Sequence, residues 1–283
     1  MTAQASFINR MRTGDIRSIP LVFWAMLGLA GFAVFVLIRE RGLSLELADA
    51  PSIFLRVGPF LLAAAVALAA PADRRFLWGA LALCASEAWF LLRFFEPASG
   101  EPTLFGVALE SLGSALWALT LAGLLLIGVA VGGIRSRFGW LVLAIGALVF
   151  VVSAAWQVIS YASIPTDQLF LILSPEQFVV GVIGHAVIIG WAYLLGAGLD
   201  NNRHYLAVGA GLMLGQAAFG VMRLLFLPVT PDADFTLLNL MSLTVSVAAW
   251  SALIAAAMTE FGPRRLTPAD DSGEPNANAE AAA

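Results

Sequence analysis

The sequence predicts an all-α fold, a polytopic transmembrane helical bundle of eight spans with an internal 4+4 repeat in parallel orientation. Three observations carry this. Of the 283 residues, 60% are hydrophobic and only 12% charged, against about 25% charged residues in soluble domains. The apolar residues fall into eight runs long enough to cross a hydrocarbon core, which needs about 20 residues. Two of those runs look like diverged copies of each other.

The runs are 19–38, 53–71, 76–95, 104–131, 138–160, 177–199, 205–227 and 235–260. Chain breakers separate them: Pro51, Pro71, Pro97 and Pro102, Gly132-Gly133, Pro165, Pro175, Pro228 and Pro231, then Gly262-Pro263. Arg10, Arg12 and Arg17 precede the first run, which exceeds a signal-peptide core and reads as a retained helix. The second run is the weakest, because Arg56, Gly58 and Pro59 crowd its first turns. No run shows an obvious break at mid-depth.

The domain plan is therefore a cytoplasmic arm (1–18), a transmembrane domain (19–261) and a polar, disordered cytoplasmic tail (262–283). Within the loop 161–176, the LFLIL run is too short to span and reads as an interfacial helix.

Arginines set the orientation. They populate the N-terminal arm, the turns at 72–75, 135–137 and 200–204, and Arg264-Arg265, all on one side for an even number of spans. The other loops carry mainly Glu and Asp. Both termini are expected in the cytoplasm, in a bacterial-type plasma (inner) membrane.

The repeat aligns Gly79-Ala80 with Gly209-Ala210 and Arg93 with Arg223 at an offset of 130. Ala115-Leu116-Trp117 aligns with Ala248-Ala249-Trp250 at 133. Halves of four spans each repeat in the same orientation.

Several function classes drop out. All 15 basic residues are Arg, so lysine Schiff-base chemistry and lysine-bound retinal are excluded. One cysteine, Cys84, excludes intramolecular disulfides and multi-cysteine metal sites. Nothing resembles a nucleic-acid surface, and no HExxH, GxSxG or Asp-rich motif is present. No catalytic residue is assigned, and the chain leans away from being an enzyme.

The polar residues within the spans are the informative ones, because ionisable groups at membrane depth cost about 2.5–3.5 kcal/mol each on insertion scales. At about 1.5 Å per residue, Glu87 and Gln216 lie near the midplane and His185 slightly outward. Arg56, Arg93, Glu110, Gln157, Arg223 and Asn239 fall in the outer half. This asymmetry points to a polar pocket open to the outside, lined by Glu87, Arg93, Glu110, Gln216, Arg223, Asn239 and Arg56. Arginines outnumber the two glutamates, so the expected partner, besides the lipid bilayer, is a small anionic or amphipathic ligand.

Plainer roles stand beside these. Arg56 and Arg93 can snorkel to headgroups. Glu87 is either protonated or paired with an Arg of another helix, Arg223 and Arg93 being the candidates. His185 reads as a packing residue or a ligand, and the stripes Glu110–Gly113–Ser114–Trp117 and Asn239–Ser242–Ser246–Trp250 suit close helix packing or a cavity wall. No cofactor is required.

The segment GHAVIIGWAYLLGAG (184–198), followed by GVMRLLF (220–226), resembles a helix pair of the NnrS-like polytopic membrane proteins. The resemblance implies haem or copper chemistry, with His185 as the metal ligand and Arg223 as the helix-end arginine. It lacks that family's further intramembrane histidines and has eight spans in place of the usual twelve. His185 and His204 are roughly 28 Å apart along a helix, too far to clamp one haem. A transport or ligand-binding protein, an assembly subunit and a metal-binding protein thus remain the alternatives.

Overall fold

A computed structural model of the chain describes residues 21–41, 50–69, 71, 73–93, 104–162, 175–226 and 235–261. Those residues form helices and connecting turns, with no strand among them. The helices are α1 (Leu21–Arg41), α2 (Ala50–Ala69), α3 (Arg74–Leu83), α4 (Ala85–Arg93), α5 (Leu104–Val131), α6 (Arg137–Ala162), α7 (Pro175–Asp200), α8 (His204–Phe226) and α9 (Phe235–Thr259). The expected arm 1–18, the LFLIL segment and the tail lie outside the described residues.

Each predicted run is a helix, with ends shifted by a few residues. The second run forms despite Pro59, which lies inside α2. Its ring removes the N–H that would bond the Leu55 carbonyl, but most of the Ala-rich remainder is buried, Leu62, Ala63 and Val66 among it.

The third run departs from the expectation of unbroken helices. It is interrupted at Cys84, where the backbone N–H bonds three residues back to Leu81 (3.1 Å), and the helix resumes as Ala88 N–H bonds the Cys84 carbonyl (2.8 Å). The Cys84 thiol donates to the Ala80 carbonyl (3.4 Å). The break sets Ser86 and Glu87 in the first turn of α4.

Among the described residues, three helical stretches are long and apolar enough to cross a membrane: Leu21–Arg39, Arg137–Ile159 and Met241–Thr259. Leu55–Ala69 and Ala115–Val131 are shorter apolar helices. On α6, Phe138, Leu141, Ile145, Leu148 and Ile159 are exposed, and on α1 so are Leu21, Trp24 and Phe35. Apolar area of this extent marks a surface made for lipid or another apolar partner. The chain is thus a helical protein with membrane-compatible helices.

The helices pack in a regular order. Helix α1 lies on α2, and α2 on α3 and α9; α3 and α4 lie on α5, and α5 on α7. Helix α6 lies on α7, α7 on α8 and α8 on α9. Close approaches are made at glycines. A Cβ on Gly79 would sit 2.6 Å from Ile127 Cγ1 and 2.8 Å from the Gly123 carbonyl. One on Gly209 would sit 2.6 Å from Leu253 Cγ and 3.0 Å from the Ala249 carbonyl. A Cβ on Gly58 would collide with the indole of Trp250.

One end of the bundle is tied by polar groups. Gly132 (φ 127°) and Gly133 (φ 68°) form the left-handed turn between α5 and α6. Asp200, at the end of α7, accepts from the backbone N–H groups of Arg135 (2.6 Å) and Ser136 (2.7 Å). It also accepts from the Ser136 hydroxyl (2.5 Å). That hydroxyl in turn caps α6 by accepting from Gly139 N–H (2.9 Å). Glu260 plays a similar part for α8, accepting from Tyr205 N–H (2.8 Å) and Leu206 N–H (3.2 Å). The Arg203 guanidinium donates to the Glu260 carbonyl. Nearby, Phe76 and Phe261 stack with centroids 4.2 Å apart.

Candidate functional site

A cavity of about 410 Å³ opens where the helices converge, within the roughly 300–1,000 Å³ of small-molecule sites. Its wall is drawn from most of the bundle. Leu37 comes from α1; Leu55, Arg56 and Pro59 from α2; Leu83 from α3; Ser86 and Glu87 from α4. Trp117 and Thr120 come from α5, Val187 and Trp191 from α7, Met213 from α8 and Trp250 from α9.

Arg56 and Glu87 are the charged pair of this wall. Arg56 Nη1 donates to Glu87 Oε2 at 3.0 Å. The Glu87 side chain is 11% exposed and that of Arg56 36%. Among the described residues, the partner of Glu87 is Arg56; the side chains of the expected candidates, Arg93 and Arg223, are not among them. Arg56 sits in the second turn of α2 and reaches across to the first turn of α4, so its charge is used inside the bundle and does not simply snorkel.

The remaining lining is aromatic and small. Trp191 and Trp250 meet edge to face, with centroids 6.3 Å apart and planes at 79°, a contact worth about 0.5–1.5 kcal/mol beyond area burial. Trp250 is 6% exposed, and its indole N–H has no hydrogen-bond partner among the described residues. Thr120 turns its hydroxyl back to the Leu116 carbonyl (3.2 Å), which removes the donor from the cavity and leaves oxygen lone pairs.

Of the residues picked from sequence, Arg56 and Glu87 meet in the cavity. Gln216 is placed elsewhere, at the α8–α9 interface, where its amide nitrogen donates to Ser242 and Ser246, each at 3.1 Å. Ser246 in turn donates to the Ser242 carbonyl (2.8 Å). His185, on α7, is not one of the cavity-lining residues; the neighbouring Gly184 faces the ring of Trp117. The side chains of Arg93, Glu110, Arg223 and Asn239 lie outside the described part. No group of three or more His, Cys, Asp or Glu side chains able to hold a metal occurs among the described residues.

Sequence reading missed Ser86, Trp191 and Met213. Ser86 is adjacent to Glu87 and was within reach. Trp191 sits in an apolar run whose faces cannot be told apart by pattern alone. Both Trp117 and Trp250, by contrast, end the small-and-polar stripes singled out above.

No protein-family model, curated protein or solved structure matches the chain. The likeness of 184–226 to the NnrS-like proteins thus rests on those residues alone.

Proposed function

We propose that the chain is an eight-span membrane protein that binds, and by its architecture transports, a small amphipathic molecule in the cavity at Arg56–Glu87. The observation that carries this reading is the cavity itself: an ion pair set in a wall otherwise dominated by tryptophan and aliphatic side chains. A few convergent polar groups in an apolar pocket are the usual composition of a small-molecule site.

Two further features support transport over binding alone. The helix break at Cys84 lies beside Glu87, and interrupted helices at the binding depth are common in transporters. The packing order is also in keeping with a 4+4 repeat. Helix α1 on α2 corresponds to α6 on α7, α3 on α5 to α8 on α9, and α2 on α9 to α7 on α5. Cavity residues obey the same relation: Leu55 and Val187, like Pro59 and Trp191, are 132 apart, and Leu83 and Met213 are 130 apart. The glycine contacts relate Gly123 to Ala249 and Ile127 to Leu253 at an offset of 126. That offset, not 133, is the one the packing supports for the fourth and eighth spans. It pairs Thr120 with Ser246, both of which bond the carbonyl four residues back. Two such halves rocking about a shared cavity would expose it to each side in turn.

The cavity reading is tested with a panel of small amphipathic compounds and thermal unfolding of the detergent-purified protein. A cavity ligand at a hundred times its Kd stabilises by about 2.7 kcal/mol. The shift should vanish in Trp191→Ala and in Thr120→Leu, which fills the space. The mutual satisfaction of Gln216, Ser242 and Ser246 favours the second reading, an assembly subunit whose polar groups only specify packing. On that reading no compound stabilises and Thr120→Leu raises the melting temperature. A haem or copper role for His185 is a separate proposal, carried only by a Soret band or stoichiometric copper that disappears in His185→Ala.

A further inference from the structure

The cavity wall is divided by composition. Among the described lining residues, Arg56, Ser86, Glu87 and Thr120 belong to α2, α4 or α5, whereas α7, α8 and α9 contribute Val187, Trp191, Met213 and Trp250. The two charges cancel, being held together at 3.0 Å. A cationic ligand that took Glu87 from Arg56, or an anionic one that took Arg56 from Glu87, would leave the other partner without its counter-charge, and for the buried Glu87 that costs several kcal/mol. A ligand with no charge at all would leave the polar side without a new partner.

From this we infer that the ligand is a net-neutral zwitterion with an apolar body, of the α-amino acid class. The inference rests on the reading of the cavity as a binding site. The cationic group faces Glu87, and the anionic group faces Arg56. The two charges of such a head lie only a carbon or so apart, matching a protein pair whose charged atoms are themselves in hydrogen-bond contact. Each new contact is charge-assisted on both sides, the strong kind of hydrogen bond. The apolar body lies against Trp191 and Trp250, and a ring suits the edge-to-face pair they form. This narrows the expectation of an anionic or amphipathic ligand, because among the described lining residues one arginine faces one glutamate.

Three probes with one ring separate the classes: phenylalanine (zwitterion), 2-phenylethylamine (cation) and 3-phenylpropionate (anion). Binding is read by titration calorimetry on the full chain at neutral pH. The wild type should bind phenylalanine roughly tenfold to a hundredfold tighter than either singly charged probe, the loss of one charge-assisted hydrogen bond. Glu87→Gln should move the preference to 3-phenylpropionate, and Arg56→Gln to 2-phenylethylamine. The double variant Arg56→Gln/Glu87→Gln leaves no buried charge to disrupt folding and should lose the discrimination. Trp191→Ala should weaken all three.

If the wild type binds a singly charged probe as tightly as phenylalanine or more tightly, the zwitterion class is overturned while the cavity remains a binding site. If none of the three binds a wild-type protein that melts cooperatively, the zwitterion class is again overturned. Stabilisation by other amphipaths, lost in Thr120→Leu, then decides whether the cavity reading survives.

Discussion

Arg56 and Glu87 are inequivalent partners, and that has a measurable consequence. Glu87 is buried and Arg56 is partly accessible. Arg56→Ala therefore strands a carboxylate, and the stability lost should be in the range of about 3–5 kcal/mol found when one partner of a buried pair is removed. Glu87→Ala leaves an arginine that can still reach solvent or headgroups, and should cost clearly less. Thermal unfolding of the two variants checks the order; equal or reversed losses would show that the pair is not set in the wall as described. Half of this was legible in the sequence. A carboxylate at mid-span must be paired or neutral, so Glu87 marked itself. Its partner did not, because Arg56 lies 31 residues away on another helix, and no pattern within one helix reports which of several arginines faces it. The capping carboxylate Asp200 was missed for the same reason: it bonds residues more than sixty positions earlier.

At the scale of elements, the helices themselves were almost wholly legible, since length and hydropathy mark them with no knowledge of neighbours. The interruption at Cys84 was not, because no glycine or proline announces it, and neither was the helical state around Pro59, which is decided by burial. The joints between elements carry two expectations. Gly79→Ala and Gly209→Ala each press a methyl group against a backbone carbonyl and an aliphatic side chain, and overpacking of this kind costs about 1–3 kcal/mol. Both should lower the melting temperature, and by similar amounts if the two positions are equivalent in a repeat. The second concerns the α5–α6 turn. Hydrogen bonds from the Ser136 side chain and then its backbone, with Arg135 N–H adding to them, hold the Asp200 carboxyl below the usual carboxylate range. A depressed folded-state value means stability that is fully present above the unfolded-state pKa and is lost as pH falls through the folded one. Unfolding midpoints should fall on acidification below about pH 4, and Asp200→Ala, at a cost near 1 kcal/mol for a lost cap, should flatten that part of the profile. An unchanged profile would mean that the carboxylate does not hold the turn.

For the molecule as a whole, an apolar exterior surrounds a cavity where most of the helices converge. Composition made the exterior readable. The proposed repeat has its clearest sequence trace at Gly79 and Gly209, each a close approach that needs a small residue; elsewhere the residues it would pair differ, as Pro59 and Trp191 do. The central claim is that the cavity beside Arg56–Glu87 receives a ligand. The most direct measurement is a structure of the protein in a lipid disc with saturating phenylalanine, set beside one without it. The account predicts added density in contact with Arg56, Glu87 and Trp191, with its polar end on the ion pair. An unchanged cavity, with Arg56 and Glu87 still closed on each other while the added molecule lies elsewhere, would contradict it.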